Sequence, residues 1–214
     1  MNSVHFEFAN GTTLDPYVDY GVILKTWEAQ PPAPKTNLVS LDGRDGDLDY
    51  TEWAGVIRYE SREVTVSLRD MTGHRDAILA ALLGQRVSFY FDDDPHWIYS
   101  GRCTAASTQS QHRFGVCDID LTFACDPYRM KDALTWVFQS LISTEVTVTL
   151  TPKRKPVIPT IVVTGGPLNL RIGEDTTELE AGEYTLATLV LTGPTEVGVS
   201  GSGTVLFKWT DGDF

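Results

Sequence analysis

The sequence predicts a mainly β protein of two modules: an antiparallel β-sandwich or barrel-like N-terminal module with one helix over residues 1–133, then a small β-sandwich over 134–214. Three observations carry this. In residues 63–69, Val64, Val66 and Leu68 alternate with Glu63, Thr65, Ser67 and Arg69, the period of two that a strand with one buried face requires. In residues 117–125, Cys117, Ile119, Leu121, Phe123 and Cys125 share one face, while Asp118, Asp120 and Thr122 share the other, as in a half-exposed antiparallel sheet. Beyond residue 159, short strand-like runs recur between glycine-rich turns with no helical stretch, the spacing of a sandwich. A chain of 214 residues fits two modules, since domains commonly run to ~100–150 residues.

Taken in order, VHFEF at 4–8 alternates as a short strand, Gly11 turns the chain, and 20–28 reads as a second strand ending at Pro31, Pro32 and Pro34. Prolines cannot donate to a ladder and lie extended, so this cluster marks a sheet edge or a connecting arm. In the loop at 41–53, Asp42, Asp45, Asp47, Asp49 and Glu52 surround Arg44, and Gly43 and Gly46 permit sharp bends. The long strand that follows anchors it. A helix is predicted over 73–83, with Thr72 as its cap and Gly84 as its stop; Ile78, Leu79, Leu82 and Leu83 fall on one face. Val87, Phe89 and Phe91 alternate in a strand at 86–91, which stops at Asp92, Asp93 and Asp94 before Pro95.

Residues 97–105 and 114–125 form the next pair of strands, joined by an exposed STQSQHR loop. Leu134, Val137, Phe138 and Leu141 have helical spacing, yet β-branched residues dominate from Ile142 to Thr149, so 134–150 reads as two strands. TPKRKPVIP at 151–159 suits an extended, solvated crossing between modules. Strands are then expected at 160–164, 168–172, 176–179, 184–191, 196–199 and 204–209, with turns at 165–167, 173, 182, 193–194 and 201–203.

The formal net charge is -12 and the pI about 4.6, which disfavours a general electrostatic hold on nucleic acid or anionic lipid. The opening MNSVHFEFANG lacks the pattern of a secretory signal, and no run approaches the ~18 apolar residues of a membrane span, so a soluble protein is expected. Cys103, Cys117 and Cys125 match no metal or redox spacing and read as small hydrophobes in a reduced compartment.

Motifs for chemistry fail on inspection. An EF-hand register starting at Asp45 puts Tyr50 where glycine is required and Val56 where the closing Glu belongs, so the acidic loop reads as a structural turn. Residues 198–203 lack the second glycine of a serine elbow. His5, His74, His96 and His112 are scattered, and no phosphate-binding or dinucleotide loop is present. Aromatics near Trp97 and Tyr99 read as core rather than a sugar site. No catalytic, cofactor or metal residue is assigned.

One combination of segments is specific: LDGRDGDLDYTEW, a strand with Tyr59 and Arg62, a helix ending LLGQ, VSFYFDDDPHWIYSGRC, and LTFACDPYRM. This order resembles the N-terminal domain of the distal tail protein family of siphophages, the phage tail components of Gram-positive hosts. GSGTVLFKWTDGDF is similar to that family's closing strand. The resemblance implies a structural virion protein of the phage tail, assembled in the bacterial cytoplasm. It further implies a hub in which six copies close a ring around the tail channel, with galectin-like second domains outside. Its implied partners are other copies of itself, the tail-tube protein, the tail-tip or tail-associated lysin protein, and receptor-binding proteins; neither specific nucleic-acid binding nor a membrane is implied. The second domain here is short beside versions with carbohydrate-binding insertions.

Ring closure needs two different complementary faces on each subunit. Arg44, Asp45, Asp47 and Asp49 of the loop, Pro32 of the proline arm, and Asp93 are the candidate contacts. An acidic channel lining would also let DNA pass without sticking. Two other readings remain open. A carbohydrate-binding module of an adhesion device needs an exposed aromatic platform, for which Tyr184 and Trp209 are available. A cell-wall hydrolase needs converging carboxylates such as Asp118 and Asp120.

Overall fold

Antiparallel pairing of long strands organises the first of two units in the computed structural model, Met1–Arg129 together with Phe214. The structure describes residues 2–53, 55–111, 115–142 and 144–214. This unit contains β1 (Val4–Phe8), β2 (Thr13–Leu14), α1 (Pro16–Tyr20), β3 (Ile23–Ala29), β4 (Leu38–Val39), β5 (Leu48–Asp49), β6 (Arg62–Asp70), α2 (Arg75–Leu82), β7 (Arg86–Phe91), β8 (Trp97–Gln111) and β9 (Val116–Cys125). Its main sheet runs β2-β1-β7-β8-β9-β6-β3, every described pair antiparallel.

The sheet curls so that strands far apart in that order meet. Phe6 of β1 stacks on Phe123 of β9 with ring centroids 5.7 Å apart, and Trp27 of β3 stacks on Phe91 of β7 at 4.1 Å. The result is barrel-like, and the sheet's ends are β2 and β3. Val64, Val66 and Leu68 of β6 and Ile119, Leu121 and Phe123 of β9 are fully buried in this core, each side chain removed from water contributing about 1.5–3 kcal/mol.

The helices differ from expectation. α1 lies inside the segment read as the start of a strand, so β3 begins at Ile23 rather than at Tyr20. Five residues are too few to display a helical repeat; α1 is announced only by its ends. Asp15 Oδ1 accepts from the backbone of Tyr17 and Val18 at 2.9 and 3.2 Å, Pro16 fills the first turn, and the N–H of Gly21 closes onto Tyr17 O. α2 is shorter than 73–83, and Thr72 is not its cap. Asp70 does that work, its carboxylate accepting from the backbone N–H of Thr72, Gly73 and Arg75 at 2.8, 3.0 and 2.7 Å. Ile78 and Leu82 are buried, whereas Leu83 turns extended and lies exposed.

β8 continues through Gln111, so most of STQSQHR is strand rather than loop; His112, Arg113 and Phe114 lie outside the described residues. A bulge at Cys103/Ala105 re-aligns it against β9.

The second unit, Met130–Asp213, contains most of β10 (Arg129–Ile142), then β11 (Val146–Leu150), β12 (Thr160–Thr164), β13 (Leu168–Ile172), β14 (Asp175–Leu179), β15 (Gly182–Thr185) and β16 (Thr195–Asp213). Residues 134–142 are strand, with no helix. β14, β13, β16 and β11 pair in one sheet, and β15, β12 and β16 in the other. Between the sheets lies a core that includes Leu150, Ile161, Leu170, Val199 and Phe207.

β16 corrects the largest misreading. Residues 201–203 are not a turn between two strands; they lie within one nineteen-residue strand. Its first part pairs with β11 and β13, and its second with β12. The strand passes between sheets where Gly201 and Gly203 have φ of 131° and 115°, angles that residues with a Cβ rarely adopt. A Cβ on Gly201 would stand 2.6 Å from Pro167 O, and one on Gly203 would overlap Thr164 O.

Two further expectations are revised. The strand itself ends at Thr185 rather than continuing to Leu191; beyond it Leu189 and Leu191 are buried, and Leu191 keeps only an isolated bridge. The basic stretch 151–159 is not a solvated crossing but belongs to the second unit. Lys153 N donates to Asp211 Oδ1 at 3.2 Å, Arg154 and Lys155 N donate to Gly212 O at 3.1 and 3.0 Å, and Val157 bridges Leu191.

Gly203→Ala is expected to destabilise the second unit by roughly 2–3 kcal/mol, read as faster deuterium exchange of the β12 and β13 amides. Gly173→Ala, at positive φ in open space, should cost only about 1 kcal/mol. The thiols give a second test. Burial pushes Cys125 up to about 12 and also raises Cys103, whereas Cys117 is only half-buried. A thiol reagent should therefore label Cys117 alone in the folded protein and all three cysteines after unfolding.

Candidate functional site

The acidic loop belongs to a protruding two-stranded arm that leaves the main sheet after β3 and returns at β6. Gln30 N donates to Glu63 O at 3.0 Å, Glu60 N to Ala33 O at 2.8 Å, and Lys35 N to Arg58 O at 2.8 Å, so the two limbs are laced from the base. Pro34 bridges Tyr59. Further out, Leu38 and Val39 of β4 pair with Asp49 and Leu48 of β5, and Tyr50 N donates to Asn37 O at 2.8 Å. Gly43 and Gly46 both take positive φ in the connecting loop.

Arg44, Asp45, Asp47 and Asp49 are exposed on this arm, as is Asp42. Asp49 Oδ1 accepts from Thr51 N at 2.8 Å, and the hydrogen bonds from Thr51 hold its carboxyl below the ordinary value. What composition did not disclose is the apolar half of the arm. Leu38, Val39, Leu41, Tyr50, Trp53 and Ile57 are exposed, Trp53 to 82%. Six apolar side chains exposed within one segment are more than a solvated tip requires.

The other two candidates fall elsewhere. Pro32 is buried, so its ring packs within its own chain and is not offered to a partner. Asp93 is exposed but accepts from Trp27 Nε1 at 3.1 Å, fixing the indole that stacks on Phe91. Its neighbours are tied down as well. Asp92 accepts from Ser3 N at 2.9 Å and from His5 Nε2 at 2.8 Å, while Asp94 accepts from Arg129 Nη1 at 2.8 Å. The aspartate triplet thus joins the end of β7 to β1, to β3 and to Arg129.

His5 sits between Asp15 and Asp92, at 2.9 and 2.8 Å, and stacks on Tyr90. His74 contacts Thr72 and the Tyr20 ring; His112 lies outside the described residues. Arg62 is 5% exposed, donates to Ala29 O at 3.4 Å and lies over the Tyr99 ring, and burial lowers its pKa. Tyr59, Tyr128 and Phe214 form an aromatic cluster at the base of the arm.

The carboxylates suggested for hydrolysis are otherwise engaged. Asp118 takes a bidentate grip from Arg69 at 2.8 and 3.0 Å and Lys25 Nζ at 2.7 Å, which holds it far below the usual carboxylate range. Asp120 accepts from Ser67 at 2.5 Å and from Ser107 at 3.4 Å. A general acid must keep its proton near the working pH, and Asp118 cannot.

For a sugar platform, Trp209 is buried and donates to Asp211 Oδ1 at 2.9 Å, and Tyr184 packs partly against the core. The exposed aromatics of the second unit are instead Trp136 and Phe138 of β10. Their signal was the alternation Leu134, Trp136, Phe138, masked by the helical spacing of neighbouring residues.

No family model matches the chain, and no curated protein matches it. Among solved structures it is similar to the SPP1 Dit (gp 19.1) protein, described as a paradigm of hub adsorption apparatus in Gram-positive infecting phages. That match covers 100% of both chains, with a TM-score of 0.69 and 15% identity. The two chains share a fold.

Hydrogen bonds and ion pairs set the acid limit of the first unit. Asp118 is lowered by Arg69 and Lys25, Asp92 chiefly by His5, and Asp70 by the backbone and hydroxyl donors that outweigh its burial. A carboxyl lowered in the folded state stabilises above its unfolded value, near 4, and loses that contribution as pH falls through its folded value. The urea midpoint should therefore be flat from pH 5 to 8 and fall below about pH 4. Asp70→Asn should cost roughly 1–3 kcal/mol at pH 7 and Asp118→Asn roughly 0.5–1, each blunting the acid fall.

Proposed function

We propose that the chain is a structural subunit of a siphophage tail, a ring-forming hub at the tail's distal end that joins the tube to the tip and adhesion apparatus. The observation that carries this is the fold shared with SPP1 Dit over the whole of both chains. The segments around LDGRDGDLDYTEW and FDDDP support the same reading.

In this proposal residues 1–133 build the ring and residues 134–214 form an outer β-sandwich, six copies closing the circle. Closure by rotation requires a heterologous contact, one surface protruding and another receiving. The arm supplies the protruding surface: it is braced by backbone hydrogen bonds at its base and carries exposed apolar residues beside Arg44, Asp45, Asp47 and Asp49. Tail-tube protein on one side and tail-tip protein on the other are the neighbours such a hub would meet. The net charge of -12 would keep a DNA channel from binding its cargo.

Light scattering across a concentration series tests the proposal. The expected result is a species of six times the 23.7 kDa chain mass, seen as rings in negative stain. Leu41→Ser with Trp53→Ser should shift the population toward monomer while leaving the far-ultraviolet circular dichroism unchanged. A wild-type protein that stays monomeric at every concentration and shows no rings would overturn the reading.

A further inference from the structure

Among the described residues Arg62 is the one buried cation, 5% exposed at the start of β6. Its side chain lies on the same face of the strand as Val64, Val66 and Leu68, so the guanidinium stands at the end of the first unit's core. Only Nη2 meets a protein acceptor, Ala29 O, at a long 3.4 Å. Nε and Nη1 of Arg62 meet none, and neither does Nε of Arg129.

The two guanidiniums are neighbours within the first unit. Arg62 stands over the Tyr99 ring, 5.4 Å from its centroid, and Arg129 over the Trp97 ring at 4.7 Å. These rings lie two residues apart on one face of β8, and the charge of Arg129 is felt at Arg62 as repulsion. Asp94 accepts from Arg129 Nη1 at 2.8 Å, and among the described residues it is the one carboxylate paired with either arginine. Cys125 lies opposite Arg62 in the β6–β9 ladder, but burial pushes its thiol up to about 12, so it supplies no negative charge. One carboxylate between two guanidiniums leaves a positive charge and three N–H groups over. The rings attract a cation through their faces, yet they do not cancel it, and a buried charge with no counter-charge is costly.

Water could accept from these donors, but it is neutral and brings hydrogens that need acceptors of their own. An anion without protons answers both needs, and hydrogen bonds from a guanidinium to an anion are among the stronger ones. We infer that Arg62 and Arg129 hold a small monovalent anion, of the size of chloride, at this end of the core. Size follows from burial: Arg62 is out of reach of a phosphate backbone or of a partner's surface, and the Arg129 side chain, 23% exposed, is the way in. The bound anion steadies the base of the arm, because Arg62 sits where the arm returns and donates to Ala29 O where it leaves.

Bromide locates the site and chloride measures it. Crystals of the full-length chain grown in sodium bromide should show an anomalous peak in contact with both arginines. In solution the chain should broaden the chloride NMR resonance saturably, and bromide should reverse the broadening. Arg62→Met, which keeps an unbranched apolar stem, should abolish the saturable part with the circular dichroism unchanged. Asp94→Asn removes the competing carboxylate and should tighten chloride binding roughly tenfold, the effect of one unit charge at close range. If Arg62→Met does not fold, the bromide crystals and Asp94→Asn decide alone. An ordered water at the pair, bromide only at adventitious surface positions, broadening that Arg62→Met leaves intact, or no response to Asp94→Asn would each overturn the inference. None of these results bears on ring formation.

Discussion

A strand shows its side chains alternately to two environments, and in β6 and β9 each environment is met by its own chemistry. Inward, Val64, Val66, Leu68, Ile119, Leu121 and Phe123 are wholly removed from water. Outward, Arg69 faces Asp118, and Ser67 faces Asp120 across the same ladder, so the polar face is paired within itself. The strict period fixes the register: a slip of one residue would exchange the faces and bury the charges. The curled sheet, the stacked aromatics joining its distant strands and the fixed base of the arm all build on that pairing.

Where half-burial is strict, structure is legible in sequence. The strands at 4–8, 86–91, 160–164 and 168–172 have the expected limits, because alternation there is decided by the core alone. Legibility fails where something other than alternation decides. α1 is too short for a repeat and is held by its caps. The glycines at 201 and 203 carry turn chemistry in composition, yet tertiary pairing on either side keeps them within one strand. Lys153, Arg154 and Lys155 look solvated by charge, but their backbone is hydrogen-bonded within the second unit.

The candidate site divides in the same way. The arm's acidity and its proline base are visible in the residues, while the exposure of Leu41 and Trp53 is not, since sequence alone does not separate an apolar residue that faces a core from one left at the surface. β10 makes the point again: Leu134, Val137, Phe138 and Leu141 mimic a helix, and only the observed strand places Trp136 between Leu134 and Phe138 on one outward face. The aspartates at 92–94 illustrate the converse, charges that look available but are spent on Ser3, His5, Trp27 and Arg129.

Because β16 belongs to both sheets of the second unit, neither sheet can open without stripping its neighbour of a shared strand. Opening should therefore be all-or-none, with the backbone amides of β11, β12 and β13 exchanging with solvent deuterium through one common event rather than sheet by sheet. Under tension, the same continuity would divide a load entering along β16 between two ladders, so that rupture requires both to shear together.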